Sequence, residues 1–260
     1  MDENVYQHFR KEERAFIDQV GNWLEQARGE YRPILTPFLD PRQAYILQEL
    51  VGTGGEIEVH LWGGYPHAER RRGILAPDYF DPQEDDYGIR LFQIRYPQKF
   101  ATLQHSQVLG TLTNQGIDYD RFGDIISDGQ NWQFFVEAEI SDFLAVDLQR
   151  IGKVTVHLEP VALQDHLLPT DDWAQETELV ASLRLDNVVA TTYHISRSHT
   201  KQMIEAGLVR LNWAVCERPD ALVADWDVIS VRGYGRIRLE AILGQTRKDK
   251  IRLSLRVIRK

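Results

Sequence analysis

The densest set of residues able to do chemistry lies near the C-terminus, where Ser196-Arg197-Ser198 is followed by Lys201. A serine ahead of Met203 and Ile204, with Gly207 beyond them, marks a helix start and stop, so a helix is expected over 197–206. Arg197 and Lys201 are four residues apart and share one helix face. Unpaired N–H groups and the partial positive charge of the helix start add to the serine hydroxyls and the cations, which makes a site for a backbone phosphate. Arg184 stands just before a shorter helix that turns Leu185, Val188 and Val189 inward, and a strand over 208–212 puts Arg210 and Asn212 on one face. Arg184, Ser196, Arg197, Ser198 and Lys201, helped by Arg210, Asn212, Arg218 and Arg236, are the candidate phosphate- and sugar-binding set.

Other chemistries lack parts. Arg184-Leu185-Asp186 has the form of the pseudouridine-synthase motif whose aspartate is the nucleophile, but it opens a short helix with no catalytic domain around it. Gly52-Thr53-Gly54-Gly55 follows a helix and precedes a strand, the reverse of a nucleotide-binding loop. Gly233-Tyr234-Gly235 lies between strands and reads as a turn. No GxSxG elbow is present, Cys216 has no visible activating partner, and the 8 histidines are scattered without zinc-ligand spacing. His194 and His199 flank the helix cap and read as exposed. No catalytic residue, cofactor or metal is therefore expected. Two further places could touch RNA: the run Arg70-Arg71-Arg72, read as a loop, and Trp132 with Phe134, which share a strand face and could stack bases.

These groups must be carried by elements. Residues 182–260 hold 15 basic and 8 acidic residues, a net of +7, while the rest of the chain holds 15 and 31, a net of −16. That split reads as a basic binding module fused to an acidic body, and the body could dock a protein partner. The first segment, 1–77, has a helical pattern from Val5 to Leu24 interrupted by Pro33 and Pro37. A second helix is capped by Asp40 with Pro41 in its first turn, and a strand carries Ile57, Val59 and Leu61. Residues 78–166 read as strand, helix, strand, strand, helix, strand, the ferredoxin-like order also used by RNA-recognition motifs. Residues 167–181, acidic and proline-containing, read as a linker. The expected class is α+β with three small domains. No stretch is apolar enough for a membrane span, residues 1–16 do not read as a secretory signal, and a single cysteine suits a reducing, cytoplasmic setting. A monomer is expected.

Arg184-Leu185-Asp186, Ser196-Arg197-Ser198, Lys201, Ile204, Gly207, Val209, Asn212, 227–230 and 233–236 together resemble the αL RNA-binding module named after the fourth small-subunit ribosomal protein. Trp213 stands where that module usually has glycine. Over the whole chain, 6–13, 38–42, Gly63-Gly64-Tyr65, Ala68-Glu69-Arg70, Leu109-Gly110 and Gly123-Asp124-Ile125 are similar to the YlmH family. The resemblance implies three domains, the αL module last, and RNA binding at the ribosome. It also implies contact with rRNA and tRNA on the large subunit, in rescue of stalled large subunits carrying peptidyl-tRNA, and a link to cell division.

Overall fold

The computed structural model describes residues 5–114, 116–168 and 173–260. It divides into two compact units, Met1–Thr170 and Asp171–Lys260. The first opens with α1 (Arg14–Glu30), β1 (Ile34–Leu39), α2 (Pro41–Val51), β2 (Ile57–Trp62) and β3 (Arg71–Pro77). The cap read from sequence is built: Gln43 N donates to Asp40 Oδ1 at 2.8 Å, and Asp40 N donates to Gln43 Oε1 at 3.0 Å. Pro37 does not break the chain direction. It sits in edge strand β1 where the register to β3 shifts between Leu35 and Phe38, the kind of position that tolerates a residue without an N–H. The arginine run expected as a loop continues into β3, the central strand of this sheet (order β1-β3-β2).

Next come β4 (Ile89–Arg95), α3 (His105–Thr113), β5 (Phe122–Ser127), β6 (Trp132–Glu137), α4 (Ala138–Asp147), the short pair β7 (Arg150–Ile151) and β8 (Val154–Thr155), and β9 (His157–Val161). The sheet order β5-β6-β4-β9 with every pairing antiparallel is the ferredoxin-like topology. All six residues of β6 are buried because both sheet faces are covered. On one face Phe92, Trp132, Phe134 and Val136 pack with Val108 and Leu112 of α3 and Leu144 of α4. On the other, Leu91, Ile126 and Phe135 pack with Phe38, Tyr65 and Ile74 of the first domain. Trp132 and Phe134 are therefore core residues, 8% and 0% exposed, and cannot stack bases as expected.

Three short stretches, 63–65, 68–70 and 123–125, form the seam between these two domains. Asp124 accepts from Tyr65 Oη at 2.8 Å, Glu69 N at 2.7 Å and Arg70 N at 3.1 Å. Burial and then the Glu69 charge push its carboxyl up to about 6 despite those three donors. Gly64, at φ +95°, lets the backbone lie on the Phe135 ring, where a Cβ would come within 2.6 Å. Arg70 donates to the carbonyls of Phe122 and Phe38 at 2.8 and 3.1 Å. Arg72 donates to Thr36 O at 2.8 Å and Tyr87 O at 2.9 Å and pairs with Glu137 at 3.3 Å. At 4% and 5% exposure Arg70 and Arg72 are buried fasteners, so the expected RNA contact there is corrected, and Arg71 between them is half-buried. Likewise Glu13 joins Arg42 at 2.8 Å and Arg10 at 2.6 Å. Burial opposes that carboxylate's charge, but the hydrogen bonds from Arg42 and Arg10 outweigh it and bring the group down to about 2.

The second unit contains β10 (Ala174–Val180), α5 (Leu185–Thr192), α6 (Arg197–Glu205), β11 (Val209–Leu211), β12 (Ala214–Val215), β13 (Val228–Val231), β14 (Gly235–Gln245) and β15 (Ile251–Arg259). They form one antiparallel sheet, order β10-β15-β14-β13-β11-β12, with α5 and α6 on one face over Ile237, Leu239, Leu253 and Leu255. The expected linker over 167–181 is corrected in two places. Leu167 packs on the first unit, and 174–180 is a strand paired with β15 from Ala174↔Val257 to Val180↔Ile251. Residues 169–172 of it lie outside the described residues.

Candidate nucleic-acid interface

Helix α6 begins as its sequence demands. Ser196 is the N-cap, its hydroxyl accepting from His199 N at 3.2 Å, and Gly207 at φ +69° ends the helix with Leu208 N donating to Met203 O at 3.0 Å. Thr200, Met203 and Ile204 turn into the core, which leaves Arg197, Ser198 and Lys201 exposed on the opposite side. Helix α5 packs against α6 and starts from Arg184.

Between the two helix starts lies Asp186, only 2% exposed. Arg184 reaches it with Nε at 3.2 Å and Nη2 at 3.0 Å, and Arg197 reaches it with Nε at 3.1 Å and Nη2 at 3.2 Å. Each guanidinium is thus held in a two-point fork, which is the most directional geometry available to an arginine. Burial works to raise the Asp186 carboxyl, but the hydrogen bonds from Arg184 and Arg197 prevail and hold it below its ordinary value. Because Nε and Nη2 face the carboxylate, the Nη1 groups of both arginines point away from it. Their side chains are 38% and 55% exposed. The result is two oriented cations beside a helix N-terminus carrying two hydroxyls, suited to phosphate oxygens. Both oxygens of Asp186 accept from the two arginines, four hydrogen bonds in all, and the residue is 2% exposed.

The other expected residues divide. Lys201 sits on the same exposed face of α6, 3.7 Å from Glu205. Arg218 lies on a loop bound to the start of α5, where Asp186 N donates to Pro219 O and Leu185 N to Ala221 O. Asn212 is corrected: its side chain donates to Asp227 at 2.8 Å and accepts from Val228 N at 2.8 Å, which locks the turn after β11. Asn212 and Trp213 have φ of 47° and 65°, a two-residue turn of the kind that joins β11 to β12 tightly. Arg210 and Arg236 alternate with buried Val209 and Ile237, so they project from the sheet face opposite the helices and do not join the α5–α6 cluster. Tyr234 was missed from sequence; its hydroxyl lies 3.4 Å from His199 Nε2 and its ring 5.5 Å from Tyr193, at the edge of the cluster. Among the described residues no His, Cys, Asp and Glu come together in a metal-holding group, and no helix is long and apolar enough to cross a membrane.

Three family models match in chain order: the YlmH N-terminal domain over residues 12–80, the domain described as a putative RNA-binding domain in YlmH over 82–165, and the S4 domain over 183–229. The ribosome-associated protein quality control protein P2 of Bacillus subtilis (strain 168) is 41% identical over 251 residues, which span 96% of this chain and 97% of that protein. This chain belongs to the YlmH family. The solved structure of the cell division protein ylmH from Streptococcus pneumoniae is similar to it at 35% identity and a TM-score of 0.54, covering 63% of this chain and 99% of that one. The S4 match begins one residue before Arg184 and contains the whole α5–α6 cluster. Among the described residues, helices cover one side of the middle-domain sheet and the N-terminal domain the other, so its strand β6 is buried on both faces.

Proposed function

We propose that this protein binds structured RNA at the ribosome without catalysis, gripping phosphates and sugars through Arg184, Ser196, Arg197, Ser198 and Lys201, with Arg218 at the margin. The observation that carries this reading is the pair of arginines fixed on buried Asp186 beside the capped start of α6. Such contacts position a protein on a shape and read no base edges, so recognition follows RNA form. The relative from Bacillus subtilis is named for ribosome-associated protein quality control, which supports action at the ribosome. Within this proposal the partners are rRNA and tRNA on the large subunit, in rescue of stalled subunits that carry peptidyl-tRNA.

The test is binding of the Arg197→Glu/Lys201→Glu protein to purified large subunits and to 23S-type rRNA fragments across a salt series. The expected result is loss of binding, with the wild-type slope of log affinity against log salt near −0.7 to −0.9 per phosphate contact. Unchanged affinity and slope in the double variant would remove α6 from the interface.

A further inference from the structure

The C-terminal sheet has a second face. Strand alternation sends Ile237, Leu239, Leu253, Leu255 and Val257 under the helices and their neighbours Arg236, Arg238, Arg252 and Arg256 to the opposite side. Arg210 joins them through the register Arg210↔Ser230↔Arg236. Arg238 stands directly across from Arg256, a like-charge pair that a sheet built for stability alone avoids. One carboxylate, Glu240, lies among them, 3.4 Å from Arg238 and 3.2 Å from Arg256. The face therefore keeps a strong positive excess.

Two indoles stand in the same row. Arg236 lies over Trp173 at 5.4 Å and over Trp213 at 5.7 Å, and Arg238 lies over Trp173 at 5.3 Å. Both indoles are half-buried, and the Arg238 side chain under Trp173 is 15% exposed. Trp213 occupies a left-handed position, φ 65°, that favours glycine and strains a bulky residue.

We infer that this face is a second RNA-binding surface, which takes a single-stranded segment by stacking bases on the exposed parts of Trp213 and Trp173, each backed by Arg236, and holding phosphates with Arg210 and Arg252. Charge alone would equally suit an acidic protein. The alternation of flat guanidinium and indole planes decides for nucleic acid, because bases stack on both. The surface lies across the sheet from the α5–α6 cluster, so both can be occupied at once. It stands or falls independently of that cluster.

The experiment titrates the full chain with a fluorescent oligouridylate of about ten nucleotides, a length that one small domain can track. A 4-thiouridine version of the same probe is photocrosslinked and the attachment sites mapped. Arg210→Gln/Arg252→Gln is expected to weaken binding roughly tenfold and to flatten the salt slope by about 0.7 per lost contact. Trp213→Gly removes an indole while suiting the left-handed backbone, so it is expected to keep or raise the melting temperature and still weaken binding roughly tenfold. In Arg197→Gln/Lys201→Gln, which disables the helix cluster, crosslinks should still map to Trp173, Trp213 and β14. Wild-type affinity in both sheet-face variants, or crosslinks confined to α6, overturns the inference. An oligoglutamate peptide that binds the wild type but not Arg210→Gln/Arg252→Gln, with RNA binding unmoved, would assign the face to an acidic protein and overturn it as well.

Discussion

Asp186→Asn separates two accounts of the helix cluster. If the arginines act only through net charge, removing a carboxylate should help RNA bind. A unit charge ~7 Å from a phosphate in a watery surrounding is worth about 0.6 kcal/mol, a two- to threefold gain in affinity. The structure predicts the opposite. Asp186 holds both guanidiniums by two-point contacts, and an Asn would turn an N–H group toward their donors. Freeing two long side chains that binding must then immobilise costs about 0.5–1.5 kcal/mol each, about 2 kcal/mol together, which net of the ~0.6 kcal/mol charge gain is roughly a tenfold loss. The assay is large-subunit or rRNA-fragment binding by the variant at several salt concentrations, with a thermal melt alongside. Both arginines are more than a third exposed, so the fold itself should lose only about 1 kcal/mol. Tighter binding by a folded Asp186→Asn protein would refute the idea that orientation, and not charge, makes this site.

Two predictions concern the seam of the first unit. Arg72→Met leaves Glu137, 3% exposed, with Arg121 at 2.9 Å as its remaining partner and removes donors from the Thr36 and Tyr87 carbonyls, so urea unfolding should show a loss of about 2–4 kcal/mol; a change below about 1 kcal/mol would mean the pair is not buried as described. Asp124 binds its proton more tightly folded than unfolded. Its contribution to stability is therefore fullest below the ordinary aspartate range and lost as pH rises through about 6. The unfolding free energy of the wild type from urea titrations should fall between pH 4 and 7 relative to that of Asp124→Asn, by an amount on the order of 2–3 kcal/mol, and parallel pH curves would contradict this.

What the sequence determined by itself was local. Asp40-Pro41 and Ser196 with Gly207 fix helix ends through groups three or four residues away, so both helices were legible in place. Strand and helix order in the middle domain was legible for the same reason, and the charge split pointed to the C-terminal unit as the RNA-facing one. The alternation Arg236-Ile237-Arg238-Leu239-Glu240 is likewise a strand signal carried by the sequence, next to the glycine turn. Tertiary structure decided the rest. Arg70 and Arg72 read as solvated because nothing nearby in sequence could satisfy a buried guanidinium; their acceptors come from Phe38, Phe122, Thr36 and Tyr87. Trp132 and Phe134 alternate as an exposed strand would, and only the helices packed on them make them core. Residues 174–180 have a linker's composition and become a strand through β15, about eighty residues on. Asp186 is the sharpest case. In sequence it is an acidic residue in a basic site, and its value appears only when folding brings Arg197 onto the carboxylate that Arg184 already holds.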